Sequence, residues 1–272
     1  MNEIKKCRAC DYEKIETFFN LGNQPFANAL LKNYEFLEDK YPLVLCFCPK
    51  CNLVQLNHTA DPKVLFSNYY WLTSTSSTAR SYAKHFCDET LKRLNNSYKI
   101  SYILEIASND GTFLKEFQKK NFEVLGVDSA QNISDIANSI GVKTKCGFFG
   151  QKLASAIISE YGFPGIIIVR NVLPHVANLH DFLQGIFRCI KDDCLVVIEV
   201  HYLKKIIEEL HYDSIYHEHL CYFSLNSLER LLNSNGLYIF DIMESQISGG
   251  SIVVFLSNKK DEKQSQELCN SF

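Results

Sequence analysis

Short apolar runs alternate with amphipathic segments along most of the chain after residue 100. Runs of this length, rich in Ile, Val and Leu, are typical of buried strands, and the amphipathic segments have the spacing of helices. Strands that alternate with helices favour a parallel sheet with crossover helices. The predicted strands are 101–107, 122–128, 142–147, 165–171, 194–200, 237–243 and 251–257.

The last two predicted strands are joined by the short connection 244–250. A connection of this length has no room for a crossover helix, so it predicts an antiparallel hairpin at the sheet edge. One more helix is predicted before the first strand, from Ser76 to Leu94. The pattern predicts an α/β fold with a Rossmann-like, seven-stranded sheet of the methyltransferase arrangement.

The turn after the first predicted strand has the residues of a cofactor site. Gly111 and the start of the following helix allow a ligand to approach the backbone, and Asp128 ends the second strand, where such folds hold ribose hydroxyls. Glu105 ends the first strand, and its carboxylate would repel a pyrophosphate. The turn therefore favours S-adenosylmethionine over NAD, although Glu105 and Asp128 could also be surface acids.

The chain has eleven cysteines, and four of them form two Cys-x-x-Cys pairs. Two such pairs supply the four sulfurs of a structural zinc site, which predicts a small zinc-binding module at the N-terminus. The predicted ligands are Cys7, Cys10, Cys48 and Cys51. The side chain of Cys46 is expected to point away from the predicted ligands if its segment is a strand. Most of the isolated cysteines are expected to be small buried hydrophobes. A redox pair or a chance spacing is the alternative.

Charge and hydropathy narrow the function classes. The net charge is -3, and the lysines are scattered, so nucleic acid is not an expected partner. The N-terminus has no apolar signal segment, and no apolar run is long enough to span a membrane. A cytoplasmic protein is expected.

Several motifs resemble those of sugar C-methyltransferases that modify nucleotide-linked 4-ketosugars. The resemblance covers nearly the whole chain and implies an N-terminal zinc module, a central S-adenosylmethionine domain and a C-terminal domain. It also implies a nucleotide-sugar substrate. The matching motifs are CRAC, LGNQPFANALL, CPKCNLVQL, LEIASNDGTFLKEF, GVDSAQN, RNVLPHVANLHDF, IEVHYL, YHEHLCYFSLNSLERLL and GLYIFDIMESQISGGSIVVF.

The resemblance implies a zinc module at 1–65, a methyltransferase domain at 66–258 and a polar tail at 259–272. The family continues into another domain where this chain has the tail, so a separate chain that supplies this domain is an expected partner. A noncatalytic or partner-dependent subunit is the main alternative function. An NAD-dependent sugar oxidoreductase or epimerase would need a fuller glycine fingerprint and a Tyr-x-x-x-Lys pair.

Methyl transfer to carbon next to a ketone requires a base, because a neutral sugar carbon is not nucleophilic. His219 is the candidate base, and Glu218 is the neighbouring carboxylate expected to tune or position the site. Tyr216 and His175 are candidate donors to an enolate oxygen. His217 would point away from His219 in an extended segment, so a structural role is favoured for it. The alternatives are a polar bridge before the helix near residue 225 and, for His175, a core histidine.

The same resemblance adds Tyr70 to the catalytic set, with Tyr69 as the close alternative. Asn109 and Asn171, which lie in matching motifs, complete the cofactor-contacting set. Ala107 belongs to this set too, but it departs from the glycine that the family has in the cofactor turn. The substitution could weaken cofactor binding, although it removes no polar contact.

Overall fold

A computed structural model describes residues 1–29, 33, 38–67, 69–94, 98–191, 193–260 and 264–271. Residues 261–263 and 272 of the predicted polar tail lie outside the described residues. The strands are β1 (Asn2–Glu3), β2 (Glu16–Gln24), β3 (Tyr41–Phe47), β4 (Val54–Leu56), β5 (His58–Thr59), β6 (Ile103–Ile106), β7 (Val124–Asp128), β8 (Thr144–Cys146), β9 (Ile166–Arg170), β10 (Leu195–His201), β11 (Cys221–Tyr222), β12 (Tyr238–Ser245) and β13 (Ser251–Ser257). The helices are α1 (Pro62–Phe66), α2 (Ser77–Lys92), α3 (Thr112–Gln118), α4 (Gln131–Ser139), α5 (Gln151–Tyr161), α6 (Leu179–Cys189), α7 (Leu203–Glu208), α8 (Leu225–Asn233) and α9 (Gln266–Cys269).

The central sheet has the strand order β12-β13-β10-β9-β6-β7-β8. Strands β6 to β10 pair in parallel, whereas β13 is antiparallel to both β10 and β12. All seven predicted strands are present, and the last two form the predicted antiparallel hairpin. The predicted fold class is confirmed.

The five inner strands, β6, β7, β9, β10 and β13, are buried on both faces, which explains why they read as largely continuous apolar runs. In β6, Leu104 and Ile106 pack on one side, with residues of α5 and α6. Ile103 packs on the other side, with residues of α2 and α3. The predicted helix at 76–94 is α2, and the side chain of Ser76 caps its N-terminus.

A second sheet has the order β11-β4-β3-β2. Strands β2, β3 and β4 come from the N-terminal module, but β11 comes from the segment that follows β10 and α7. In this pairing Gln55 lies opposite Cys221, and Val54 lies opposite Tyr222. The segment that carries the candidate catalytic residues is therefore attached to the sheet of the zinc module.

The segment 259–272 is not simply a polar tail. It contains α9, which packs against β12, and Leu268 is fully buried. The backbone N–H of Ser265 donates to the carbonyl of Phe240 at 2.8 Å. The single buried side chain of Leu268 is enough to anchor this short helix. In the described part of the chain, no helix has the length and apolar character needed to cross a membrane.

Candidate active site

The two Cys-x-x-Cys pairs converge on one point of the N-terminal module. The distances are 3.6 Å between the sulfurs of Cys7 and Cys51 and 3.5 Å between those of Cys10 and Cys48, and all four sulfurs lie within 4.8 Å of one another. A tetrahedral site with Zn–S bonds of about 2.3 Å has sulfur–sulfur edges of about 3.8 Å. The residues fit a closed structural zinc site.

The remaining cysteines stand apart from this cluster. Cys46 is buried in β3, and its thiol donates to the carbonyl oxygen of Gln55 at 3.3 Å, as expected for a residue that is not a ligand. Four of the isolated cysteines are buried, while Cys146 and Cys269 are exposed. The expectation of small buried residues therefore holds for Cys87, Cys189, Cys194 and Cys221.

A buried arginine lies beside the cysteine cluster. Arg8 is 8% exposed, and its guanidinium donates to the side chain of Gln55 and to the carbonyl oxygens of Leu56 and His58. The side-chain amide of Gln55 in turn donates to the sulfur of Cys7 at 3.2 Å. These acceptors of Arg8 are neutral, whereas four thiolates around a divalent ion carry a net charge of -2. The zinc–thiolate complex would therefore supply the negative charge that a buried guanidinium needs.

The turn that follows β6 contains three residues with left-handed backbone. Their φ angles are 58° for Ala107, 50° for Asn109 and 77° for Gly111. A residue with a Cβ costs about 1 kcal/mol in this conformation. Ala107 therefore adopts a backbone conformation that a glycine would favour. The alanine in place of the family's glycine costs local stability, but the backbone of the turn keeps its conformation.

The structure gives a second reason for a glycine at position 111, and the close approach of a ligand to its backbone stays a prediction. A Cβ at this position would lie 2.7 Å from Cγ1 of Val142, so the close neighbour is another side chain of the protein. Gly111 is needed for its positive φ and for packing of Val142 against the start of α3. The glycine shapes the turn and leaves no open space for a ligand on that side.

Asp128 lies at the carboxyl end of β7, next to this turn. One oxygen accepts from the backbone N–H of Asn109 and the other from that of Ala130, both at 3.0 Å. Each carboxylate oxygen can accept a second hydrogen bond. The side chain is 8% exposed, and its burial raises the pKa. The geometry fits a carboxylate that binds two neighbouring hydroxyls.

Asn109 and Asp110 hold a strap of backbone over the turn. The side chain of Asn109 accepts from the backbone N–H of Thr73 at 2.9 Å and donates to the carbonyl of Trp71 at 3.0 Å. Asp110 accepts from the N–H of Ser74 at 2.8 Å. The side chain of Asn109 is therefore engaged within the protein, and the contact of this residue with the cofactor stays a prediction.

Glu105 lies beneath the turn and is only 1% exposed. Its nearest cation is Arg170, at 3.6 Å, and the same guanidinium donates to Glu199 at 3.0 Å. Glu199 also accepts from the hydroxyl of Tyr82 at 2.9 Å. Neither oxygen of Glu105 has a hydrogen-bond partner among the described residues, and burial raises its pKa to about 8. The alternative of a surface acid is wrong for Glu105, because the carboxyl group is enclosed, and its contact with the cofactor stays a prediction.

Asn171 follows β9 and faces the same edge of the sheet. Its φ is 49°, and its backbone N–H donates to the carbonyl of Glu199 at 2.8 Å. The side-chain oxygen is buried and has no hydrogen-bond partner in the described part of the chain. An unpaired buried acceptor at the edge of the sheet where β7 also ends fits the predicted contact with a bound cofactor.

Three histidines meet at the carboxyl edge of the sheet. The rings of His175 and His201 each lie with their centroids 4.9 Å from the ring of His219. His175 follows β9, His201 ends β10, and His219 precedes β11, so three separate segments bring them together. Desolvation lowers the pKa of all three, that of His175 to about 4 and that of His219 well below 6.5.

The hydrogen bonds of His219 define its tautomer. Nδ1 lies 2.8 Å from the carbonyl oxygen of Ser214, which can only accept, so Nδ1 carries the proton. In the neutral ring, Nε2 is then the basic nitrogen, and it accepts from the hydroxyl of Tyr216 at 3.1 Å. His219 is neutral near pH 7 and has a basic nitrogen paired with a phenol.

Glu218 does not orient this ring, in contrast to the role expected for it. Ser214 holds Nδ1 of His219, and one oxygen of Glu218 accepts from the side-chain amide of Asn28 at 2.6 Å. Glu218 is 2% exposed, and burial raises its pKa. Its second oxygen is buried without a hydrogen-bond partner among the described residues.

Tyr69, and not Tyr70, enters the site. Tyr70 is 75% exposed, whereas Tyr69 is half-buried, and both backbone polar groups of Tyr69 bond to the side chain of Asn132. Burial, followed by the charges of Glu218 and Asp128, raises the pKa of Tyr69 to about 12. The phenol of Tyr69 is therefore close enough to both Glu218 and Asp128 to feel their charges.

His217 faces away from the histidine cluster. Its Nε2 lies 3.2 Å from the carbonyl oxygen of Tyr41, and its ring contacts Phe26 edge-on. The favoured structural role of His217 fits these contacts.

Two residues of the site were missed by reasoning from the sequence. His201 had a readable signal, since it directly follows the apolar run of β10 at the carboxyl edge of the sheet. Asn28 had none, because its contact with Glu218 joins residues 190 positions apart.

Comparisons with known proteins place these features in a family. The family model "Methyltransferase domain" matches residues 79–242, and the model "Putative zinc binding domain" matches residues 7–66. The C-methyltransferase NovU of Streptomyces niveus is 31% identical over 254 residues. The match covers 93% of this chain and 60% of NovU, so the chain spans about three fifths of the length of this relative.

Two solved structures share the fold. The plantazolicin methyltransferase BpumL, in complex with SAH, has a TM-score of 0.52 at 15% identity and covers 69% of this chain and 88% of its own. A SAM-dependent methyltransferase from Archaeoglobus fulgidus has a TM-score of 0.50 at 12% identity, with coverages of 65% and 94%. The resemblance to C-methyltransferases with a zinc module is confirmed. The chain belongs to the methyltransferase domain family and joins that domain to a zinc-binding domain at its N-terminus.

Proposed function

We propose that the protein is an S-adenosylmethionine-dependent C-methyltransferase that acts next to the ketone of a nucleotide-activated 4-ketosugar, through an enolate. The observation that carries this proposal is the pair of His219 and Tyr216 at the carboxyl edge of a methyltransferase sheet. A neutral histidine whose basic nitrogen meets a phenol suits proton abstraction beside a carbonyl group. The similarity to the C-methyltransferase NovU supports transfer to carbon.

The cofactor pocket is formed by the ends of β6, β7 and β9. Asp128 would bind the two ribose hydroxyls, and the buried oxygen of Asn171 would accept from a donor on the cofactor. When bound, S-adenosylmethionine supplies the methyl group that the substrate carbon receives. The enclosed carboxyl groups of Glu105 and Glu199 share the guanidinium of Arg170, and because burial raises the pKa of Glu105 to about 8, Glu199 alone balances this cation near pH 7.

Proton abstraction is assigned to Nε2 of His219. This nitrogen accepts from Tyr216 in the free protein, so a substrate ketone that takes the Tyr216 hydroxyl as its own donor would free it. The proton of the carbon next to the ketone then passes to Nε2, and the electrons of the C–H bond form the enolate. The carbonyl of Ser214 keeps Nδ1–H in place and thereby fixes the direction of Nε2.

The enolate oxygen needs donors that are already in place. Tyr216 supplies one. His175 supplies the second, since its ring lies beside that of His219 and its low pKa keeps it neutral, with one N–H to donate. The stabilised enolate carbon is the nucleophile to which bound S-adenosylmethionine would transfer its methyl group, and the electrons of the methyl–sulfur bond would stay with the departing S-adenosylhomocysteine.

The test is incubation with labelled S-adenosylmethionine and a panel of nucleotide-linked 4-ketosugars in deuterated solvent. The proposal expects label in the sugar, on the carbon next to the ketone, and deuterium exchange at that carbon before methyl transfer. Label on oxygen or nitrogen of the product, or no exchange with any ketosugar, would contradict it.

A partner-dependent subunit is the second candidate. The same incubation is therefore repeated with the remaining part of a full-length relative supplied as a separate chain. Activity that appears only in the mixture would favour the subunit, whereas activity of the chain alone would exclude this candidate.

A further inference from the structure

The zinc module places one of its own side chains against the candidate catalytic segment. The amide nitrogen of Asn28 lies 2.6 Å from one oxygen of Glu218. Among the described residues, the second oxygen of Glu218 has no hydrogen-bond partner, although the side chain is only 2% exposed. A buried carboxylate with one oxygen held and the other unpaired is arranged to accept from a donor that arrives with a ligand.

The contact is held by the packing around it. The ring of Phe26 stacks on that of Tyr41 with centroids 4.4 Å apart and meets the ring of His217 edge-on at 5.1 Å. His217 is the residue directly before Glu218, and its Nε2 lies 3.2 Å from the carbonyl oxygen of Tyr41. The turn that carries Asn28 is therefore fixed to the same segment that carries Glu218.

We infer that Asn28 is a positioning residue of the active site, which holds the Glu218 carboxylate so that its free oxygen accepts a hydroxyl of the substrate. The zinc module then completes the substrate site as well as binding metal. The inference rests on the proposed function for the nature of the substrate, since a sugar offers hydroxyls beside its ketone. The contact between Asn28 and Glu218 does not depend on that choice.

The pKa of Glu218 depends on its contact with Asn28. Burial raises the pKa of Glu218, and the hydrogen bond from Asn28 opposes this rise. The phenols of Tyr69 and Tyr216 interact electrostatically with Glu218, and the ring of His175 interacts with the backbone of Glu218. These phenols have raised pKa values and His175 a lowered one, so all three are uncharged near pH 7. The titration of Glu218 is therefore separate from theirs.

The first experiment needs no substrate. The titration of Glu218 is followed by NMR of protein labelled with ¹³C in the glutamate carboxyl carbons, and the signal is assigned with Glu218→Gln. Asn28→Ala should raise the pKa of Glu218, and Asn28→Asp should raise it further, because two carboxyl groups at hydrogen-bond distance share one proton. Asn23→Ala, an exposed asparagine of β2 in the same module, is the matched control and should leave it unchanged. An unchanged pKa of Glu218 in Asn28→Ala overturns the inference.

The second experiment uses the substrate found with the ketosugar panel. Asn28→Ala should lower kcat/KM by about tenfold, the effect of one lost hydrogen bond to a charged group, with cofactor affinity and zinc content unchanged. The acid limb of the pH profile should move to higher pH, and this shift should be absent when Glu218→Gln is the background. A lower activity without a shift of the profile would indicate a merely structural role and contradict the inference. If no ketosugar reacts, the proposed function fails, and the NMR titration still decides the role of Asn28.

Discussion

His219 is a buried histidine surrounded by neutral groups. The imidazoles of His175 and His201 and the phenol of Tyr216 contact its ring. None of these three groups is an anion that would stabilise a positive charge on His219. Desolvation and the neighbouring histidines hold its pKa well below 6.5, so the neutral base dominates at pH 7. A base acts in its deprotonated form, and the rate of proton abstraction should therefore rise with pH only below pH 6.5 and then level off.

We expect His219→Asn to lower both methyl transfer and solvent deuterium exchange by at least ~100-fold, the loss typical of a general base. Deuterium exchange at the carbon next to the ketone is the decisive measurement, because it reports proton abstraction without methyl transfer.

The control for this variant is His217→Asn, which should cause a much smaller loss, since His217 contacts Tyr41 and not the histidine cluster. Cofactor affinity and zinc content should be unchanged in His219→Asn. Exchange at the wild-type rate in this variant would show that another residue, with His175 the nearest candidate, removes the proton.

Glu105 is a buried acid whose charge opposes folding. Its pKa is about 8 in the folded chain, mainly because of burial, whereas its unfolded value is near 4.5. Below pH 4.5 both states hold the proton, so the group costs nothing. As the pH rises from 4.5 to 8, the unfolded state releases the proton first, and the folded state is progressively destabilised.

Glu105→Gln removes this titration and keeps the shape of the side chain. We expect its melting temperature to exceed that of the wild type by an amount that grows between pH 5 and pH 8, to on the order of 5 °C. Glu123→Gln, an exposed acid directly before β7, is the control and should show no such trend. A difference that stays constant with pH would mean that Glu105 is ionised throughout.

At the scale of the elements, the strands were predictable from sequence because both faces of the inner strands of the central sheet are buried. The continuous apolar runs could only be strands of this kind, and the short connection before β13 could only make a hairpin. The turn after β6 was predictable in position, but the packing beside Gly111 was not. The space beside Gly111 is filled by Val142, which is 31 positions away in the sequence. A local sequence pattern does not predict such a contact.

Gly111→Ala should destabilise the protein by about 2 to 4 kcal/mol, because the new Cβ meets Val142 and the positive φ is strained. Gly141→Ala is a matched control. Its φ is 84°, but nothing lies within 4 Å of the new Cβ, so only the backbone strain of about 1 kcal/mol applies. The two variants are compared by denaturant unfolding, and equal losses would show that Val142 yields without cost.

At the scale of the whole molecule, the zinc module and the catalytic segment form one structure. Gln55 donates to the sulfur of Cys7 and lies opposite Cys221 in the β4–β11 pair. The backbone N–H of Leu56 donates to the carbonyl of Leu220, the residue after His219. The motif around His219 could be recognised from sequence, but this attachment could not, since a two-residue strand has no periodicity to read.

We expect loss of the metal to disable methyl transfer while cofactor binding persists. Cys48→Ser combined with Cys51→Ser removes two of the four ligands, so zinc should be absent by metal analysis. Without the metal, Arg8 lacks its compensating charge, and β4 no longer holds β11 and the segment with His219 in place. The cofactor turn and Asp128 belong to the central sheet, which is stabilised by its own core, so affinity for S-adenosylmethionine should be unchanged by calorimetry.

Cys46→Ser is the control for this double variant. Its hydroxyl can still donate to the carbonyl of Gln55, and residue 46 lies outside the sulfur cluster, so both zinc content and activity should be retained. Zinc that persists in the double variant would disprove the metal site. A zinc-free protein that transfers methyl groups at the wild-type rate would show instead that the catalytic segment keeps its position without the module, because the contacts around the histidine cluster are sufficient.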